Sequence, residues 1–106
     1  MKTIQLGNKE ITMVGSPMTP YFYKKIFNQS FSGDLLELTG MESDPSKFDD
    51  INILQMIYAM EYTHKMGKGM KDFEGWLAEF EYFDLSDVTT DVVEEAMNAT
   101  FRSTKA

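Results

Sequence analysis

Side chains that usually carry enzymatic or metal chemistry are scarce in this sequence. The chain has one histidine, His64, and no cysteine. A zinc site would therefore have to be built almost entirely from carboxylates, which is unusual, and neither a thiol nucleophile nor a disulfide is available. His64 stands beside Lys65 near the expected end of a helix, where a lone histidine is usually a surface residue. We expect no catalytic, cofactor-binding or metal-binding site, and hence no enzyme.

Two segments that superficially resemble ligand-binding loops lack the required pattern. The segment Gly67-Lys68-Gly69 does not have the spacing of a phosphate-binding P-loop and does not follow an expected strand. The region between Asp44 and Asp50 has too few acidic residues for a calcium-binding EF-hand loop and lacks its central glycine. Neither segment predicts a bound nucleotide or cation.

Carboxylates are abundant in the last third of the chain, without a catalytic arrangement. Nine Asp and Glu residues, and no Lys or Arg, lie between Asp72 and Glu95. They fall beside the apolar stripes of expected helices, as solvent-facing charges do, and no spacing singles out a pair for acid–base chemistry. They predict an acidic surface, which either only keeps the protein soluble or attracts a basic partner.

A stripe of large apolar residues lies within this acidic region. Its members are spaced i, i+3, i+4 and i+7, as on one face of a helix. The stripe is either ordinary core or a partly exposed aromatic groove rimmed with acid, an arrangement suited to gripping an amphipathic helix. On the second interpretation, the candidate protein-interaction residues are Phe73, Trp76, Leu77, Phe80 and Phe83, with Glu74, Glu79 and Glu81 at the rim.

The first fourteen residues predict a β-hairpin. Lys2–Leu6 and Lys9–Met13 alternate polar and apolar residues around Gly7-Asn8, a two-residue loop whose leading glycine suits a type II′ turn. The resulting register brings four apolar side chains to one face: Ile4, Leu6, Ile11 and Met13. Because an isolated hairpin is marginally stable in water, this face must pack on helices or on another subunit.

Helix start and stop signals predict four to five helices after the hairpin. Thr19 and Pro20 have the residue types of an N-cap and a first helical position, and Phe22 and Ile26 are expected to face inward. Asp49 or Asp50 is expected to cap the longest helix, which Gly67 ends. The other expected helices carry Leu35, Leu36 and Leu38, the stripe opened by Asp72, and a last segment from Thr90 that includes Phe101, Arg102 and Lys105. A polar loop is expected over residues 41–48.

The longest of these helices is apolar on most sides between Ile51 and Tyr62, as expected for a central helix. The sequence therefore predicts an α+β, mostly α, single domain over residues 1–106. Its N-terminal β-hairpin (residues 2–14) packs on a bundle of four to five helices (residues 19–103).

Composition excludes several classes of partner. The 106 residues include ten Lys and Arg against seventeen Asp and Glu, a net charge of −7. This balance argues against binding to a nucleic-acid backbone or to an anionic membrane. The first residues lack the apolar core of a secretory signal, so we expect a soluble cytoplasmic protein. Nine methionines suit an adaptable binding surface as well as a core; together with the open hairpin edge, they prompt the hypothesis of self-association.

The order of several segments resembles a known family. A short hairpin is followed by Thr19-Pro20-Tyr21-Phe22-Tyr23-Lys24, Asp34-Leu35-Leu36-Glu37-Leu38, Leu54-Gln55-Met56-Ile57-Tyr58-Ala59-Met60, Phe73-Glu74-Gly75-Trp76-Leu77-Ala78-Glu79-Phe80 and Phe83-Asp84. Over nearly its whole length, the chain resembles the tail assembly chaperones of long-tailed, siphovirus-type phages and prophages of Gram-positive bacteria. These segments are structural signatures, and none is a catalytic motif.

The resemblance implies a non-enzymatic role in phage tail assembly. Such chaperones act in the cytoplasm of the host bacterium and are absent from the mature virion. They coat the tape measure protein and help tail tube protein subunits polymerise around it, and many have a longer product made by ribosomal frameshifting. Two other functions remain open from the residues: a small acidic inhibitor or decoy that binds a basic host protein, and a structural tail or head-completion protein.

Overall fold

The computed structural model describes residues 1–40 and 49–100. The predicted α+β, mostly α, fold with an N-terminal hairpin is confirmed in this part of the chain. The elements are β1 (Lys2–Leu6), β2 (Lys9–Met13), α1 (Met18–Phe27), α2 (Phe31–Gly40), α3 (Asp50–Lys65), α4 (Phe73–Ala78) and α5 (Thr89–Thr100). The loop expected over residues 41–48 lies outside the described residues, as do Phe101, Arg102 and Lys105.

The hairpin has the predicted bounds and register. β1 pairs with β2 in antiparallel fashion, with Ile4 opposite Ile11 and Leu6 opposite Lys9. Gly7 adopts φ +60° while Asn8 does not have a positive φ, as a type II′ turn requires. All four residues of the apolar face are buried: Ile4, Leu6, Ile11 and Met13. This face packs on helices of the same chain, chiefly on α3.

The first helix begins differently from the prediction. α1 starts at Met18, so Thr19 lies inside the helix and is not its N-cap. Its hydroxyl oxygen accepts a hydrogen bond from the backbone N–H of Ser16 (3.2 Å) and lies 2.8 Å from the hydroxyl oxygen of Thr63 on α3. Thr19 is buried because it ties the end of the hairpin to the central helix, a long-range contact that local capping rules do not include.

Exposed aliphatic side chains occur in both α1 and α2, and one of them, Ile26, was expected to face inward. Ile26 lies at the surface of α1, whose buried residues are Thr19, Phe22 and Tyr23. In α2, Leu35 is buried whereas Leu36 is exposed. Successive residues of a helix point about 100° apart, and in α2 the side chain of Leu35 points to the core while that of Leu36 points to solvent.

The central position of α3 is confirmed. Asp49 is its N-cap, and its carboxylate accepts hydrogen bonds from the N–H groups of Ile51 (3.0 Å) and Asn52 (3.3 Å). The helix ends at Lys65; its C-cap is Met66, with φ +50°, and Gly67 follows with φ +79°. Buried side chains cover nearly every side of it: Ile53, Leu54, Met56, Ile57, Tyr58, Ala59 and Met60. Among the described residues, no helix combines the length and the apolar character needed to cross a bilayer.

The chain between α4 and α5 crosses the tip of the hairpin. We call residues 79–85 the strap. The side chain of Asn8 donates to the carbonyl oxygen of Glu79 (3.3 Å) and accepts from the N–H of Glu81 (3.0 Å). A Cβ on Gly7 would lie 1.8 Å from the carbonyl oxygen of Tyr82. The turn of the hairpin therefore contacts the strap directly and holds its backbone in place. The helix α4, which was predicted to reach Phe80, ends at Ala78.

Candidate protein-interaction surface

Trp76 lies in the core of the protein. It is only 3% exposed, and its ring contacts those of Tyr58 on α3 (centroids 5.4 Å apart), Phe73 (5.8 Å) and Phe80 (4.9 Å). Phe73 also meets Phe27 of α1 edge-on at 5.1 Å. These edge-to-face and offset contacts are the favourable geometries for aromatic pairs. The cluster anchors α4, a helix of only six residues, to α3 and α1.

The polar end of Trp76 is bonded as well. Its indole N–H donates to a carboxylate oxygen of Glu61 at 2.7 Å, and the other oxygen of Glu61 pairs with Lys65 at 3.2 Å. Glu61 is buried. A buried carboxylate is tolerated when both oxygens have partners, so this arrangement fixes the orientation of the indole ring and of α4.

The other members of the apolar stripe are divided between core and surface. Phe73, Leu77 and Phe80 are half-buried and pack against the core cluster, whereas Phe83 is 37% exposed. The core interpretation therefore describes Trp76 fully and its three neighbours in part. Phe83, which follows α4 on the strap, is the aromatic residue of the set with the most exposed surface.

The three rim carboxylates also differ in their surroundings. Glu74 and Glu81 are exposed. Glu79 makes ion pairs with Lys9 of β2 and with Lys71, whose ammonium nitrogen lies 2.5 Å from it. Hydrogen bonds from Lys71 and then Lys9 lower the pKa of Glu79 from 4.5 to about 2. Its charge is thus balanced within the fold, whereas Glu74 and Glu81 make no ion pair with the part of the chain that the structure describes.

The strap adds an exposed residue that the sequence pattern did not single out. Tyr82 is 64% exposed and stands next to Phe83, between Glu81 and Asp84. Hydrogen bonds from the hydroxyl and the backbone N–H of Ser86 hold the pKa of Asp84 below its usual value, so this carboxylate is charged at neutral pH. We call Glu81, Tyr82, Phe83 and Asp84 the strap surface.

Tyr82 escaped the sequence analysis because it lies outside the helical spacing that defined the stripe. The only available signal was its place in an irregular segment between two expected helices, where exposed aromatic residues are more often functional than in a regular element. The described residues contain no group of three or more His, Cys, Asp or Glu side chains placed to hold a metal ion.

The strap surface combines two aromatic side chains with two carboxylates on backbone that is held by Asn8. Both aromatic side chains and both carboxylates are exposed. Comparison of the chain with protein-family models, with curated proteins and with solved structures found no match.

Proposed function

We propose that this chain is a tail assembly chaperone of a long-tailed phage or prophage. In this proposal it binds the tape measure protein in the host cytoplasm, promotes polymerisation of the tail tube protein around it, and is absent from the finished virion. The resemblance of its successive segments to that family supports the proposal, and so does the chemistry of the strap surface.

The observation that carries the proposal is the exposed pair Tyr82 and Phe83 between Glu81 and Asp84. Tyrosine and phenylalanine are enriched at protein interfaces, and tyrosine is frequent among the residues that dominate binding energy. A client built from long amphipathic helices offers apolar stripes flanked by basic side chains. Aromatic rings would cover the stripes, and the carboxylates would attract the flanking Lys and Arg.

The first test is co-expression of the chain with the long helical protein encoded next to it, followed by pull-down and light scattering. We expect the chain to keep that protein soluble in a large complex that holds several copies of the chain. Mass spectrometry of purified phage particles should find the chain missing. Its presence there would instead support a structural tail or head-completion protein.

A matched pair of variants locates the contact. Tyr82→Ser removes an aromatic side chain that is 64% exposed from the strap, and Tyr21→Ser removes one that is 57% exposed from α1. We expect Tyr82→Ser to weaken client binding by about 1–2 kcal/mol, or roughly 5- to 30-fold in Kd, and Tyr21→Ser to leave it nearly unchanged. Equal losses would contradict the assignment to the strap. No association of the wild-type chain would contradict the chaperone proposal and make a basic host protein the next partner to test.

A further inference from the structure

A second exposed aromatic surface lies where the first half of α1 meets the C-terminal end of α3. Tyr21 and Met66 are each 57% exposed, and aromatic contacts connect them. The ring of Tyr21 lies 5.7 Å from that of Phe22, which lies 4.8 Å from that of Tyr62 on α3. The hydroxyl group of Tyr62 borders Gly67, the residue after Met66, since a Cβ on Gly67 would lie 2.9 Å from it. These contacts join the two helices into one continuous surface.

The charges around this surface are positive. No Asp or Glu occurs in residues 11–33 or 62–71, whereas these two segments contain five lysines. Two of the five are paired with carboxylates of α3 and of the segment after α4. The other three, Lys24, Lys25 and Lys68, are exposed and make no ion pair with the part of the chain that the structure describes. We give the name basic patch to the following residues: Tyr21, Lys25, Tyr62, Met66 and Lys68.

The basic patch and the strap surface have similar compositions and opposite charges. The strap surface has two exposed aromatic residues between Glu81 and Asp84. In the basic patch, the ammonium nitrogen of Lys25 lies 5.9 Å from the centre of the Tyr21 ring. Neither carboxylate of the strap surface makes an ion pair within the described residues. The two surfaces are therefore complementary in charge, and both present aromatic rings.

We propose that the basic patch of one copy of this chain binds the strap surface of a second copy. The aromatic rings of the two surfaces would cover each other, and the lysines of one would pair with the carboxylates of the other. The net charge of −7 opposes association at long range, but the Debye length is about 8 Å at physiological salt, so the contacting side chains decide. Three lysines are too few to hold a nucleic-acid backbone against that net charge.

The hypothesis of self-association thereby gains a surface other than the hairpin edge. The inference goes beyond the proposed function, because it concerns contacts between copies of this chain alone. Since the contact joins two different surfaces, a change on either of them should weaken it.

Sedimentation velocity of the isolated full chain measures the association. We expect a reversible equilibrium with a Kd on the order of 10–100 µM, as for a small interface, and a higher Kd when salt is raised from about 0.15 M to about 0.5 M. In ¹H–¹⁵N NMR spectra, the shifts that depend on protein concentration should be largest in the basic patch and the strap surface. A chain that remains monomeric at about 1 mM would overturn the proposal.

Charge reversals on the two surfaces test which residues meet. Lys25→Glu and Glu81→Lys should each raise the Kd about tenfold. An equimolar mixture of the two variants should associate again, because the first keeps an intact strap surface and the second an intact basic patch. Glu10→Lys changes the net charge by the same amount as Glu81→Lys, at an exposed position of β2, and should not weaken association.

A second pair of variants tests the apolar part of the contact. Tyr21→Ser should raise the Kd roughly fivefold, whereas Leu36→Ser, which removes a side chain that is 60% exposed from α2, should not change it.

Two further results would overturn the proposal. One is a mixture of Lys25→Glu and Glu81→Lys that associates no better than either variant alone. The other is association that persists unchanged in every variant, which would assign self-association to another surface such as the hairpin edge. Since none of these measurements uses the tape measure protein, failure here leaves the chaperone proposal untouched.

Discussion

Glu61 and Glu79 are the two carboxylates that hold α4 against the rest of the fold. Glu61, on α3, accepts from the indole N–H of Trp76 at 2.7 Å. Glu79, just after α4, pairs with Lys9 of β2 and with Lys71. Each therefore links α4 to a different neighbour, and each has both oxygens bonded. Removing the carboxylate of Glu61 would leave the buried indole N–H of Trp76 without its partner, which costs more than the bond itself contributes.

The ion pairs of Glu79 predict a pH dependence of stability. Its pKa is lowered from 4.5 to about 2 in the folded protein, so its contribution is fully present above pH 4.5 and is lost as pH falls toward 2. We expect Glu79→Gln to lower the free energy of unfolding near neutral pH. The difference in this free energy between the variant and wild type should shrink as the pH falls from 4.5 toward 2. Urea unfolding at a series of pH values measures it.

Glu10→Gln is the control for this experiment. Glu10 adjoins Lys9 in the sequence but is exposed and has no ion pair within the described part of the chain. We expect the Glu10 variant to show a much smaller difference from wild type across this pH range. A Glu79→Gln difference that stayed constant from pH 6 to pH 2 would contradict the assigned ion pairs.

At the scale of elements, the hairpin turn and the strap form one unit. The side chain of Asn8 bonds backbone groups on both sides of residue 80, and the absence of a side chain at Gly7 lets the backbone of Tyr82 approach. The strap surface has a defined position because Asn8 and Gly7 of the hairpin turn contact the backbone of the strap. The position of the strap thus depends on residues about seventy positions earlier in the chain.

Two glycine substitutions test this close approach. Gly7 and Gly69 both have positive φ, +60° and +74°, but a Cβ would meet the Tyr82 carbonyl at 1.8 Å at Gly7 and nothing within 4 Å at Gly69. We expect Gly69→Ala to cost about 1–2 kcal/mol of stability from backbone strain. Gly7→Ala should cost about 1–3 kcal/mol more, because the strap must move. Urea unfolding of both variants measures the difference, and equal losses would mean that the strap does not rest on the turn.

At the scale of the whole molecule, the hairpin, α3 and α4 share one core. The radius of gyration is 13.0 Å, close to the value of about 13 Å expected for a compact domain of this length. The backbone N–H of Val14, just after β2, donates to the carbonyl oxygen of Met60 on α3 at 3.0 Å. The aromatic cluster then connects α3 to α4 through Tyr58 and Trp76.

These connections predict cooperative unfolding. Trp76 fluorescence reports on the junction of α3 and α4, and far-UV circular dichroism reports on the helices as a whole. We expect the two urea transitions to coincide, with a slope of about 1–2 kcal/mol/M. A fluorescence transition at distinctly lower urea would mean that α4 and the strap open separately. Tyr82→Ser should not move the midpoint, because that side chain is largely exposed.

The candidate surface was only partly predictable. Phe83 and Glu81 belonged to the predicted set and are exposed, whereas Trp76 of the same set lies in the core and Glu79 is paired within the fold. Helical spacing marks the apolar side of a segment but does not tell whether a neighbour covers it. Tyr82 falls outside the spacing altogether, and its exposure follows from the path of the strap.

The sequence by itself determined the features that depend on neighbouring residues. The hairpin register follows from the Gly7-Asn8 loop, and the limits of α3 follow from Asp49 and Gly67, because turns and caps act over a few residues. Only the tertiary structure decided which carboxylates face water and which hold α4. It also decided that Thr19 would join α3 instead of capping α1. Those outcomes depend on contacts between residues distant in the chain, whose burial and charge pairing no local pattern records.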